Sequence, residues 1–216
     1  RFADYLELSA GAETLCYYGD CYEMAGTPTR ADFFQLPFNH RADRLSVPEW
    51  TKDAVVYNIF PDSFADGFRT LSGGADGKTG LGGTIRGVAE NLDYIASMGF
   101  NCIYLNPIFV SPSNHKYDCQ DYDYVDPHYG RVVEDCNEGI LLGDDDDNSH
   151  AWKYIKRVTD KKNLEASNEL FAKLTAEIHR RGMKIILDGV FNHCGSFNKW
   201  MDRERIYENQ EGYPKG

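Results

Sequence analysis

The sequence predicts an α/β fold with a parallel sheet and helical crossovers. Three observations carry it. Short apolar runs recur, each stopped by Pro or by a polar loop. A segment of helical period lies between each run and the next. The long loops all follow strand C-termini rather than strand N-termini. The order strand, helix, strand, helix, strand favours βα units over an antiparallel meander. Two architectures fit, an open doubly wound sheet and a (β/α)8 barrel. A barrel needs about 250 residues and eight units, and only three strands are visible.

Composition narrows the function. The 216 residues carry 34 acidic and 23 basic side chains, a formal net charge of −11. A duplex-binding protein needs a basic surface to neutralise phosphates, so no nucleic-acid partner is expected. The same balance disfavours an anionic membrane surface. No stretch approaches the roughly 18 apolar residues of a membrane span, and the N-terminus has no signal-peptide pattern. Aromatic residues make up 13% of the chain. Rings of this kind mostly fill cores, and exposed ones form stacking platforms for flat ligands. The six cysteines contain no C-x-x-C pair, which speaks against a zinc ribbon or a thioredoxin-type centre. Cys16 and Cys21 flank a short turn and could pair in an oxidising compartment. The others read as buried thiols, which favours a reducing, cytoplasmic setting.

Element by element, residues 1–49 are β-rich. Tyr5 to Leu8 alternates, Leu15 to Tyr18 is bulky, Gly19-Asp20 signals a turn, and Phe33 to Phe38 is another apolar run. This is too little for a complete sandwich, which takes about seven strands, so it reads as the C-terminal part of a β domain. Leu45 to Trp50 reads as a linker. Ala54 to Phe60 is a strand buried on both faces, stopped by Pro61. A loop rich in Gly and Asp follows, from Asp66 to Gly83. Val88, Leu92, Ile95 and Met98 mark one helix, with Gly99 as its C-cap. Phe100 to Leu105 is the second strand, ended by Pro107. Leu170, Leu174 and Ile178 mark the second helix, and Met183 to Asp188 the third strand. Gly80-Leu81-Gly82-Gly83 has neither the spacing nor the preceding strand of a dinucleotide site, so that cofactor is disfavoured.

Two segments could carry chemistry. Between Asn106 and Gly130, rings and carboxylates interleave densely. The loop is either packed by its own aromatics or a sugar site, where ring faces stack on pyranoses and carboxylates bind hydroxyls. The third strand runs into Asp188-Gly189-Val190-Phe191-Asn192-His193. Alternate residues of a strand share a face, so Asp188, Val190 and Asn192 lie together if the extension persists. Polar groups there are either functional or a buried, satisfied cap. Asp188 with His193 makes only two metal ligands, too few for a site. Asp144 to Asp147 lacks the Gly and distal Glu of a calcium loop and reads as solvated. Trp152 and Tyr154 read as anchors of the surrounding insertion, and His179 as a residue of a surface helix end.

Together these segments resemble the α-amylase family of retaining α-glycosidases, in its neopullulanase and cyclomaltodextrinase-like branch. Val56 to Gly67 resembles the first barrel strand and its loop. Gly82-Gly83-Thr84-Ile85-Arg86-Gly87, leading on to Phe100-Asn101, resembles the first helix and second strand. Pro107 to Gly130 resembles the second loop. Ala176 to Gly182, then Ile185 to Gly195 with its D-x-V-x-N-H motif, resembles the second helix and third strand. The resemblance implies an incomplete (β/α)8 barrel, its first part at residues 50–195. It is preceded by part of a β-sandwich at 1–49 and followed at 196–216 by the start of an insertion after the third strand.

It also implies a substrate, an α-1,4-glucan or maltodextrin oligosaccharide. Tyr117 would stack on the sugar at the cleavage subsite. His193 would bond that sugar's primary hydroxyl, Asp188 would support the network, and Asn192 would brace the loop. The family's Asp nucleophile, Glu acid/base and further Asp follow later strands, so none of the three is expected within these residues. The piece alone is expected to be inactive. No cofactor is required. A structural calcium occurs in relatives, with Asn192 as a ligand in some, but Phe68 and Thr84 replace the acids of this branch's N-terminal calcium site. Ser63 stands where the family often has Arg. The stretch from Arg131 to Leu164 resembles an insertion with an aromatic strand before the second helix. A lone three-strand segment would expose apolar faces and sheet edges, so a homodimer or a second fragment of the same protein is expected to cover them. The scaffold also hosts non-catalytic carbohydrate-binding or transporter-associated proteins, and transglycosidases or isomerases.

Overall fold

The computed structural model describes residues 2–4, 6–18, 21–24, 34–36, 46–67, 82–136, 148–208 and 210–213. The Gly19-Asp20 turn, Phe68, Gly80-Leu81 and the Asp144 to Asp147 run lie outside them, as does most of the 66–83 loop. The chain divides into two compact units, Arg1–Thr51 and Lys52–Gly216.

In the first unit, β1 (Phe2–Asp4) pairs antiparallel with β5 (Phe34–Leu36). A meander joins β2 (Leu6–Ala10), β3 (Glu13–Tyr18) and β4 (Cys21–Met24). The β2–β3 turn has two residues and begins at Gly11, whose φ of +64° suits the first position of a tight hairpin. The register sets Cys16 opposite Glu23 and Cys21 opposite Tyr18. Cys16 is buried within this meander.

The second unit is built on a parallel sheet in the order β10 (Lys184–Leu187), β7 (Cys102–Leu105), β6 (Val56–Ile59). A short helix, α1 (Pro61–Phe64), follows β6. The two faces of the sheet differ. Tyr57, Ile103 and Ile185 are in register, as are Ile59, Leu105 and Leu187. This face packs on Ile85, Val88, Leu92 and Ile95 from α2 (Ile85–Glu90) and α3 (Leu92–Ser97), and on Leu174 and Ile178 from α5 (Lys161–Arg180). The opposite face carries Val56, Asn58, Cys102, Tyr104, Lys184 and Ile186. Val56, Asn58 and Lys184 on it are exposed. The first strand is therefore not buried on both faces as expected. It is an edge of the described sheet, and the central β7 is the buried one.

The first helix also differs from expectation. Its periodicity is continuous in sequence, but the backbone breaks at Asn91 (φ −105°, ψ 7°), whose side-chain amide donates to the Gly87 carbonyl at 2.8 Å. Met98 lies past the last turn and is exposed rather than core. Gly99, at φ +89°, takes the left-handed position expected of it.

The insertion before α5 holds a helix, α4 (Trp152–Thr159), where a strand was expected. Tyr154, Ile155 and Val158 point into a second core with Leu164, Ile206 and Tyr207, while Trp152 faces solvent. Asp160 ends α4 and caps α5, its carboxylate accepting from Lys162 N–H at 2.9 Å. Among the described residues no helix is long and apolar enough to cross a membrane.

Candidate functional site

Tyr104 and Ile186 lie on the uncovered face of the sheet, and two residues further along that face come Asn106 and Asp188. Backbone bonds hold both just past the strand ends: Asn106 N–H donates to Ile59 and Asp188 N–H to Leu105. Tyr117 comes in from the loop after β7. Its hydroxyl donates to Asp188 Oδ2 at 3.1 Å and accepts from Asn106 Nδ2 at 3.2 Å. The Tyr104 phenol lies close enough to the same carboxylate to feel its charge. Burial, then the neighbouring Asp188 carboxylate, pushes the Tyr104 and Tyr117 phenols above their ordinary pKa. The result is a carboxylate bonded by the Tyr117 phenol, with Tyr104 beside it, at the C-terminal ends of two neighbouring strands. The Tyr117 ring stays 38% exposed and stacks on His115 at 6.0 Å.

The loop after β7 is folded rather than loose. β8 (Phe109–Val110) and β9 (Asp121–Val125) form an antiparallel ribbon. Between them the chain wraps around Lys116, which is buried and left-handed at φ +60°. Gln120 lies inside, donating to the Tyr207 hydroxyl at 2.7 Å and accepting from Tyr154 at 2.5 Å. Asp62, just after β6, accepts from Asn114 at 3.2 Å and so joins the first loop to the second.

The segment after β10 does not stay extended. The strand ends at Leu187, and Phe191 N–H turns back onto the Gly189 carbonyl. Asn192 therefore does not share a face with Asp188. Asn192 and His193 are exposed, and their side chains meet each other, Nδ2 to Nδ1, at 2.7 Å. The Tyr122 hydroxyl reaches the carbonyls of Val190 (2.7 Å) and His193 (2.8 Å), and its ring stacks on Trp200 at 5.9 Å. Gly195 N–H donates to the Cys119 carbonyl at 3.1 Å. A side chain at Gly195 would meet the Asp118 carbonyl oxygen at 2.5 Å, so only Gly allows the two loops to approach this closely.

Thus the structure brings Tyr117 to Asp188, and Asn192 to His193. Both pairs sit on loops stitched together at one end of the sheet. Among the described residues no hydrogen bond joins one pair to the other. Sequence reasoning missed Tyr104 and Asn106. Their signal was strand alternation, since both share a face with Cys102. His179 is exposed on the last turn of α5, as expected. A separate cavity of about 330 Å³ beside α4, lined by Trp152, Ile155 and Lys156 among others, contains no expected site residue.

Of the two positions named for the N-terminal calcium site, Phe68 lies outside the described residues and Thr84 is already engaged in hydrogen bonds. Thr84 Oγ1 donates to the Asp66 carbonyl at 3.0 Å and accepts from Gly87 N–H at 3.1 Å, which makes it the N-cap of α2. Calcium takes six to eight oxygens. Among the described residues no three His, Cys, Asp or Glu side chains converge on one point.

Helices over one sheet face, with polar groups at the strand C-termini on the other, define an α/β protein. Residues 58–140 and 165–213 match the family model described as alpha amylase, catalytic domain, and the chain belongs to the alpha-amylase family. It is 35% identical over 209 residues to an intracellular maltogenic amylase of Bacillus subtilis (strain 168), covering 92% of this chain and 29% of that protein. It is 36% identical over 198 residues to a cyclomaltodextrinase of Geobacillus thermopakistaniensis (strain MAS1), covering 87% of this chain and 28% of that protein. A solved cyclomaltodextrinase superposes with a TM-score of 0.57 at 26% identity, over 97% of this chain and 31% of the other. The chain thus spans less than a third of the length of these relatives.

Proposed function

We propose that this chain supplies part of the sugar-binding site of a retaining α-glycosidase acting on α-1,4-glucans or maltodextrins. The observation that carries the reading is the Tyr117–Asp188 bond, which closes the loop after β7 onto the end of β10. In this reading residues 50–195 are the opening part of a (β/α)8 barrel, 1–49 belong to a β-sandwich and 196–216 begin an insertion. Further strands, from a second fragment of the same protein or from a homodimer partner, would cover the open face of β6 and β10.

Each residue then has a physical task. The exposed Tyr117 ring offers a flat apolar face to a pyranose, and its bonds to Asp188 and Asn106 fix its angle. His193 presents an imidazole to a sugar hydroxyl, and Asn192 braces that ring through Nδ1. Asp188, bonded by the Tyr117 hydroxyl, keeps the network ordered. Retention requires a nucleophilic carboxylate and an acid/base carboxyl about 5 Å apart. The reading assigns these to segments of the family's barrel that follow its third strand, and this piece alone is expected to release no sugar. No cofactor enters. The buried free thiols Cys102 and Cys119 suit a reducing cytoplasm.

The test is a reducing-sugar assay on the full-length protein carrying this chain, with maltotriose or a cyclodextrin. Release is expected, and none at any pH overturns the reading. Binding without release moves the protein to the non-catalytic carbohydrate-binding class. Within the active protein, Tyr117→Ala is expected to lower kcat/KM by about ten- to a hundredfold, or roughly 1.4–2.8 kcal/mol. His193→Ala is expected to lower it by about tenfold. Wild-type kinetics in both would remove the site assignment.

A further inference from the structure

We propose that Lys116 is a positioning residue of this site, a buried pin that sets the orientation of Tyr117. The inference rests on the reading of Tyr117 as the sugar platform.

Lys116 is 3% exposed and its ammonium is saturated. Its three protons meet three oxygens: Asp126 Oδ2 at 2.8 Å, the Ser113 carbonyl at 2.9 Å and the Ser111 carbonyl at 3.2 Å. The Tyr129 ring lies 4.7 Å away on the cation. Lysine seldom gives up water, and does so only where paired and fully bonded. Two of the three oxygens belong to the backbone just upstream, so the ammonium draws residues 111–116 into a closed turn around itself.

The anchor of that turn is also fixed. Asp126 is fully buried, its Oδ1 accepting from His128 N–H and meeting His128 Nδ1, both at 2.8 Å. Its Oδ2 also accepts from Ser111 N–H at 3.0 Å. The pin thus holds residues 111–116 against the far end of the β8–β9 ribbon.

The consequence for Tyr117 follows from the backbone. A non-glycine residue at φ +60° is held there only by its surroundings. At that dihedral the chain reverses between Lys116 and Tyr117. The lysine side chain goes inward to Asp126, and the next side chain goes outward to Asp188. Tyr117 N–H is held by His115 Nδ1 at 3.1 Å, and Lys116 N–H by Ser113 Oγ at 3.1 Å. Without the ammonium, the Ser111 and Ser113 carbonyls lose their common donor and the turn loses its tie to Asp126, which lets residue 116 relax toward an ordinary dihedral and swing the Tyr117 ring off Asp188.

The test is a double-mutant cycle on the full-length protein, reading the Kd for maltotriose and β-cyclodextrin by calorimetry. Lys116→Met, which keeps the stem and drops the charge, is expected to weaken binding about tenfold. Lys116→Met with Tyr117→Ala should be no weaker than Tyr117→Ala alone, because the pin acts only through that ring. Independent, multiplying losses would overturn the proposal, since a general loosening of the fold does not need Tyr117. If Lys116→Met does not fold, Lys116→Met with Asp126→Asn removes both buried charges and enters the same cycle. A second readout needs no sugar. A fluorotyrosine at position 117 should change its ¹⁹F shift in the Lys116 variant, and an unchanged line overturns the proposal. If that shift changes while wild type binds neither sugar, the pin stands as geometry and the sugar reading falls.

Discussion

Gly87→Ala is expected to destabilise the second unit by about 3 kcal/mol, although alanine normally stabilises a helix interior by about 1 kcal/mol relative to glycine. The sign reverses because of one contact. A Cβ built on Gly87 would lie 1.9 Å from the Ala65 carbonyl oxygen and 2.4 Å from its carbon. Those atoms are backbone, so no rotamer change relieves the clash. Either α2 or the segment after β6 must move. That carbonyl accepts from Thr84 N–H at 2.8 Å, and Thr84 in turn caps α2 through Gly87 N–H. Ile85 and Val88 of the same helix are fully buried, so displacing α2 also opens the core. Gly99→Ala supplies the comparison. Nothing lies within 4 Å of its Cβ, and only its φ of +89° resists, at about 1 kcal/mol. Urea unfolding of the full-length protein and both variants measures the difference. Equal losses, or a more stable Gly87→Ala, would show that α2 does not press on Ala65.

What could be read in the sequence divides along physical lines. The three strands are legible because each is a run of bulky apolar residues with a hard stop, Pro61 or Pro107 in two cases. Whether a strand is central or at an edge is a property of its neighbours, so the exposure of Val56 and Asn58 was not. The break at Asn91 was hidden because Val88, Leu92 and Ile95 keep helical phase across it. α4 was missed because Trp152, Tyr154, Ile155 and Val158 are β-formers by propensity. Its spacing of Tyr154, Ile155 and Val158 on one face was the better signal. In the candidate site, Tyr117 and Asp188 were named through the family motif, and the hydrogen bond between them spans 71 residues. The face shared by Asp188 and Asn192 failed because the strand stops one residue before Asp188. Lys116 and Asp126 were invisible as a pair. Ten residues apart in a polar loop, they look like solvated charges until the chain is seen to close over them.

The same pair gives the second large effect: Asp126→Asn is expected to cost about 3–5 kcal/mol at neutral pH. The carboxylate is fully buried and acceptor-only, and it meets two donors on each oxygen's side: Lys116 Nζ and Ser111 N–H on Oδ2, the His128 backbone N–H and ring on Oδ1. An amide in that place must turn its NH₂ toward either the ammonium or the His128 N–H. It also leaves Lys116 buried without its counter-charge. The pH dependence follows from the carboxyl itself. Burial alone would raise its pKa, but the charge of Lys116 and the His128 ring outweigh burial and hold it well below the usual carboxylate range. A group depressed on folding stabilises above its unfolded pKa, about 3.9 for Asp, and loses that contribution as pH falls toward the folded value. The part of the gap that comes from the carboxyl's own titration should therefore narrow below about pH 4. Denaturant unfolding at pH 7 and pH 3.5 reads both numbers. A loss under about 1 kcal/mol at pH 7 would mean that the charge on Asp126 does not hold this loop together.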